Sequence, residues 1–301
     1  MTADLVVDPD ARVPIKARRV RFDWAGTPRH WVPGDPQTTH TINVLHLLLP
    51  AGERWFVDVY RQVLPAIRDE RLRADVKGFV GQEAVHARAH AAVLDHLAAQ
   101  GIDTTGYTRL VEWAFDRLLA DEPLGVPLPR WLRRPWLVHR LGIIAAVEHF
   151  TAVLGAWVLE ADALDAAGAD PVMLDLLRWH GAEEVEHRAV AFELFRHEGG
   201  GYGQRLVGLA EVLPVLLGLW VWGTVFLLRA DPTAPGLPTL RAFSRAGRRG
   251  LLPTARALAA TLPRFVRPSY HPLDEGSTTV AVDYLRRSPA AAAAPAPASR
   301  A

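Results

Sequence analysis

A single glutamate, Glu148, stands inside LGIIAAVEHFTAVLGAW, a stretch over residues 141–157 that is apolar almost throughout. A carboxylate buried there without a partner is costly, so it must be protonated, paired with an arginine or bound to a cation. Any fold for this chain therefore has to carry further polar side chains into the interior to meet Glu148.

The surrounding periodicity is helical, and the expected fold class is all-α. THTINVLHLLLPAGERWFVDVYRQVLPAIRD carries apolar residues at helical intervals from about residue 40, with Pro50 marking a kink or a new start. A second helix is expected over 70–99, ending at Gly101, and a shorter one in YTRLVEWAFDRLLAD. After EPLGVPLPRW, a long apolar helix is expected over about 131–165. Asp170 and Pro171 then open another, over about 171–197.

Two of these helices carry Glu-x-x-His: EAVH with Glu83 and His86, and EVEH with Glu184 and His187. Residues three apart project from one helix face, so each pair can present a carboxylate and an imidazole to one cation. With 12 histidines in 301 residues, about half of one such motif is expected by chance. The spacing alone is thus weak, and solvated helix faces are the plain alternative. More telling is the order along the chain: Glu53, then Glu-x-x-His, then Glu148, then Glu-x-x-His, each on its own helix. Four carboxylates offset the charge of two divalent cations, and one histidine per cation leaves positions open. Glu53, after PAG, could instead simply favour a helix N-terminus.

This arrangement resembles the ferritin-like di-metal carboxylate superfamily. More narrowly, PRHWVPGDPQTTH, LPAGERWFV, GQEAVHARAH, AVEHFTA, WHGAEEVEHRAVAFE and RPSYHP together resemble a bacterial family labelled predicted metal-dependent hydrolases. The resemblance implies a ferritin-like four-helix bundle with additional C-terminal helices. It also implies a metal set of Glu53, Glu83, His86, Glu148, Glu184 and His187, with Glu83 and Glu184 as catalytic bridging carboxylates. His90, His149, His180 and Glu183 are candidates for supporting those ligands, and His180 or Glu183 for replacing one. Glu186 reads as a surface charge and Tyr60 as a core aromatic, with a redox role as the alternative.

Two divalent ions are the expected cofactors, with iron favoured, manganese next and zinc less suited to so many carboxylates. The reading favoured by that donor set is O2-dependent oxidation of a small apolar or aromatic substrate, with electrons from a partner protein or the substrate. The family label points instead to hydrolysis of an ester or phosphoester, and iron oxidation or storage is the third reading. The chain has no cysteine, which excludes thiolate sites and a cysteine nucleophile, and its net charge of +1 gives no reason to expect nucleic acid.

The expected organisation is an irregular arm over 1–38, the di-metal bundle over 39–200, an apolar helix and basic amphipathic helices packing on it over 201–287, and a disordered tail over 288–301. The uncharged run VLPVLLGLWVWGTVFLL, residues 212–228, is at the lower limit for a membrane span. It reads as a buried or interface-lying helix, with peripheral membrane contact through 206–228 or a homodimer interface as candidate roles. The N-terminus does not read as a signal peptide, so a cytoplasmic protein, membrane-associated or not, is expected.

Overall fold

The computed structural model describes residues 13–234 and 236–294. Among them every regular element is helical: α1 (Pro36–Val63), α2 (Glu70–Ala99), α3 (Thr105–Trp113), α4 (Arg130–Leu159), α5 (Asp162–Ala166), α6 (Pro171–His187), α7 (Val190–His197), α8 (Tyr202–Ala230), α9 (Leu240–Arg248), α10 (Ala255–Ala259), α11 (Leu262–Phe265), α12 (Thr278–Arg287) and α13 (Pro289–Ala293). Aspartates start three of the long helices. Asp35 accepts from the Thr38 amide at 2.9 Å, Asp69 from Leu72 at 2.9 Å, and Asp170 from Val172 and Met173 at 3.1 and 2.9 Å. Gly101, at φ +84, ends α2.

The apolar interior falls into two clusters, and each long helix crosses from one to the other. In α1 the first cluster takes Ile42–Ala51 and the second begins at Trp55; in α2 the second takes Leu72–Phe79 and the first resumes at Val85. Helix α4 passes from the second cluster at Val138–Ala146 to the first at Val158, and α6 with α7 returns from Met173–Val185 to Val190. So α1 and α6 run one way, α2 and α4 the other. Residues 100–129, including α3 alongside α1, carry the chain back along the bundle. Glu53, Glu83, Glu148 and His187 all fall where the clusters meet.

The close approach of α4 and α6 depends on two glycines. A Cβ on Gly155 would lie 2.5 Å from the Gly181 carbonyl oxygen, and one on Gly181 would lie 2.8 Å from the Gly155 Cα. Helix α8 packs across α4 and α1, with Gly208 against Gly142 and Gly223 against Val44.

Helix ends depart from the sequence expectation in four places. Helix α1 continues through Pro50. The helix expected over 131–165 stops at Leu159 and restarts as α5, because Arg178 takes the Val158 and Ala161 carbonyls at 3.2 and 3.3 Å. The helix expected over 171–197 breaks after His187. There the buried Arg188 turns back to the Val185 carbonyl and reaches Leu273 O at 3.3 Å and Thr278 Oγ1 at 3.1 Å. Finally, the expected disordered tail begins as ordered structure. Asp175 of α6 accepts from Tyr284 Oη at 2.8 Å, Ser288 Oγ at 2.7 Å and the Ala290 amide at 2.9 Å, holding α12 and α13 in place. Residues 295–301 of that tail, and 1–12 of the expected arm, lie outside the described residues.

Candidate metal centre

Each of the four helices brings its polar residues to the level where the apolar clusters meet, and their side chains form two adjoining groups. Glu53, His86 and His180 make one; Glu83, Glu148, Glu184 and His187 make the other, and within each group the ligand-type atoms lie within 4.8 Å of one another. All seven residues are buried, none above 6% exposed. Glu184 spans the groups: its Oε1 lies 2.7 Å from His180 Nε2 and 3.6 Å from His86 Nδ1, and its Oε2 lies 3.4 Å from His187 Nε2. Glu83 does the same, with Oε1 3.6 Å from His86 Nδ1 and 3.3 Å from His187 Nε2. Glu148 approaches His187 Nε2 at 3.2 Å, and Glu53 approaches His180 Nε2 at 3.6 Å.

The imidazoles are held by their outer nitrogens. Gln82 Nε2 donates to Glu186 at 2.7 Å, which leaves its Oε1 to accept from His187 Nδ1 at 3.0 Å. His187 therefore turns the lone pair of Nε2 inward. His86 donates through Nε2 to Glu183 at 2.9 Å and turns Nδ1 inward. Arg18, from the N-terminal arm, pairs with Glu183 at 2.7 Å and with Glu186 at 2.9 Å, which keeps both carboxylates pointed at their partners. His180 contacts His90 through Nδ1, and His90 contacts His46 at 2.7 Å.

The fit to cations is tested by what the protein leaves unbonded. Both oxygens of Glu53, both of Glu83, one each of Glu148 and Glu184, His86 Nδ1 and His187 Nε2 are buried without a hydrogen bond. Eight such atoms from four helices, six carboxylate oxygens and two imidazole nitrogens, make a donor set that could hold metal ions. The electrostatics agree. Burial, then the charge of Glu83, drives the Glu53 pKa well above the usual carboxylate range. Burial and the charge of Glu184 push Glu148 up to about 8. Burial works against the charged forms of His86 and His187, yet Glu183 and Glu83 raise the first and Glu184 and Glu148 the second. For Glu184, the same burial is outweighed by His187 and His180, which hold its pKa well below the usual range.

Of the supporting residues suggested by the sequence, Glu183 and His90 sit behind the histidines they touch, and His180 lies inside the first group. His149 points away: its Nδ1 meets Tyr270 Oη at 2.9 Å among the C-terminal helices, because adjacent helical residues face different sides. Glu186 is not the surface charge that its spacing suggests, since Arg18 and Gln82 bury it. Tyr60 is fully buried, its hydroxyl unbonded and its ring stacked on Phe79, which packs edge-on against His187. Arg18, Gln82 and His46 carry no local sequence signal and were not expected.

A third group, His30, His40 and Asp231, has ligand-like composition but is internally satisfied. Asp231 accepts from His30 at 2.6 Å, His40 at 2.9 Å, Arg29 at 3.2 Å and both the amide and hydroxyl of Thr233. It fastens the arm to the end of α8, and the Arg29 cation beside it opposes a metal.

A family model described as a predicted metal-dependent hydrolase matches residues 16–276. No curated protein and no solved structure matches the chain.

Proposed function

Because this chain belongs to the predicted metal-dependent hydrolase family, we propose that it is a hydrolase of ester or phosphoester bonds working through two divalent cations at the four-helix centre. Glu53, His86 and His180 would hold one, Glu148 and His187 the other, with Glu83 and Glu184 bridging them. The observation that carries this reading is the set of eight buried, unbonded acceptor atoms. A Glu from each of two helices, a Glu-x-x-His from each of two more, and one long crossover are also the plan of ferritin-like di-metal carboxylate proteins, and we assign the bundle to that class.

When bound, such a cation pair polarises a substrate oxygen and lowers the pKa of water. The chain's own residues do the rest. Gln82 and Glu183 fix which nitrogen His187 and His86 present. Arg18 holds Glu183 and Glu186 on the outer side of the histidines, away from the inner positions. Phe79, Trp179 and Tyr60 keep the surroundings apolar and exclude bulk water.

Iron-dependent oxidation is a second reading, favoured by one observation: a donor set of four carboxylates and three imidazoles suits iron or manganese better than zinc. The matched family carries the hydrolytic description, so hydrolysis is placed first. Elemental analysis of protein purified without added metal, followed by ester and phosphodiester assays with manganese, zinc or iron and oxygen-electrode traces with Fe(II), separates the readings. Hydrolysis with about two metals per chain is expected. Oxygen uptake without hydrolysis would replace it with oxidation, and ferric iron accumulating well beyond the ligands present would replace it with storage.

A further inference from the structure

Helix α8 is long and apolar enough to cross a bilayer, as is α4, but the two are used differently. Helix α4 is mostly buried in the bundle, whereas only 28% of the most apolar window of α8 is buried. One side of α8 packs on α1 and α4 through Gly208, Leu209, Val212, Gly223, Leu227 and Leu228. The other side turns Val215, Leu217, Val221 and Trp222 outward, at 58, 63, 57 and 38% exposure, and no charge interrupts residues 212–228. The apolar surface continues onto α3, where Tyr107 stacks on Trp222 at 4.2 Å and the next turns expose Leu110 and Trp113. Beyond α8 the chain exposes Leu237 and Leu240. An exposed apolar face of this length marks an interaction surface.

Charge identifies what covers it. Residues 229–270 contain eight arginines and a single acid, Asp231, which is buried, although the whole chain has a net charge of only +1. Arg241, Arg245 and Arg248 lie at helical spacing on α9 and are exposed, as is Arg256 on α10. An outward apolar helix with an exposed tryptophan, Trp222, followed by an arginine-rich helix, has the composition that binds an anionic bilayer from one side. A second copy of the chain fits less well, because an isologous contact over α8 brings two arginine-rich segments toward each other.

We infer that the outward face of α8, with the arginines of α9 and α10, docks this protein on the surface of an anionic lipid bilayer. The helix lies along the membrane and does not cross it, since its inner side is already packed on α1 and α4. This inference stands apart from the metal reading, so either can fail alone.

The test is flotation of the full-length protein with phosphatidylcholine vesicles, with and without phosphatidylglycerol, at low and high salt. Binding to the anionic vesicles is expected, weakened by salt. The paired changes Val215→Glu and Val221→Glu, at exposed positions that leave the fold intact by circular dichroism, should abolish it. Arg245→Glu with Arg248→Glu should weaken it roughly tenfold or more. Absence of flotation, or flotation that survives both pairs of changes, overturns the inference. So does a dimer in light scattering that Val215→Glu and Val221→Glu dissociate, which would give the face to a second copy.

Discussion

Glu184 Oε1 and His180 Nε2, four residues apart on α6, meet at 2.7 Å, and this contact brings a third imidazole to the centre. His180 also faces Glu53 at 3.6 Å. Its place among the ligands has a direct check. His180→Ala should lower metal content from about two per chain toward one after dialysis, because it removes one of the three ligands that the first cation would not share with the second. His90→Ala, one step further out, should retain both metals with affinity reduced about tenfold or more. Elemental analysis after dialysis against a weak chelator reads both.

Glu53 gives a prediction whose sign depends on metal. Both its oxygens are buried without hydrogen bonds and its pKa is driven up by burial and by Glu83. In metal-free protein at neutral pH, Glu53→Gln removes that penalty and should raise stability by about 1–3 kcal/mol. In metal-loaded protein it removes a ligand and should lower the melting temperature relative to wild type. Paired thermal melts in chelator and in manganese measure both arms.

Metal-free protein should lose stability as pH rises from about 7 to 8.5. The pKa values of Glu53, Glu148, His86 and His187 are all raised by folding, Glu148 to about 8. The folded chain therefore binds protons that the unfolded chain releases in that window, and stability falls by about 1.4 kcal/mol per pH unit for each such proton. Glu184, its pKa held low, runs the other way, as do His40, His46, His90, His149 and His180, whose pKa values burial lowers; their contributions are lost in acid, below that range. Metal affinity should rise with pH over the same window, since binding expels these protons. Chelator-treated melts across the range, with titrations of manganese, provide the comparison.

Gly181→Ala should damage the centre from a distance. The added methyl would meet Gly155 Cα at 2.8 Å and Val158 at 2.9 Å. Helices α4 and α6 must then separate, which costs about 1–3 kcal/mol and draws Glu148 from His187. Metal affinity is expected to fall while the far-UV spectrum stays helical. An unchanged metal affinity would mean that the helices accommodate the methyl without moving the ligands.

How far the sequence anticipates this arrangement depends on the range over which each contact forms. Glu83 with His86 and Glu184 with His187 were legible because three residues make nearly a turn, and Glu148 because its neighbours are apolar. His180 was legible in part: it precedes Glu184 by four residues and shares its face, yet spacing alone does not say which of two neighbouring imidazoles points inward. Arg18 meets Glu183 across 165 positions, and nothing local predicts such a pairing. The break after His187 was hidden for the same reason. HRAV contains no proline or glycine, and Arg188 ends the helix by reaching Thr278 on a segment that comes much later. His149 failed for a simpler cause: following Glu148 directly, it must face another side.

Asp175 ties the order of events in biosynthesis to this architecture. Among the described residues its buried oxygens are satisfied by Tyr284, Ser288 and Ala290, 109 to 115 positions further along the chain. A nascent polypeptide released up to residue 200 already holds every residue of the centre, but the Asp175 side chain on the rear of its α6 still lacks these partners. A segment made more than a hundred residues after α6 is thus the one that seats it, and cation loading waits for that segment to arrive.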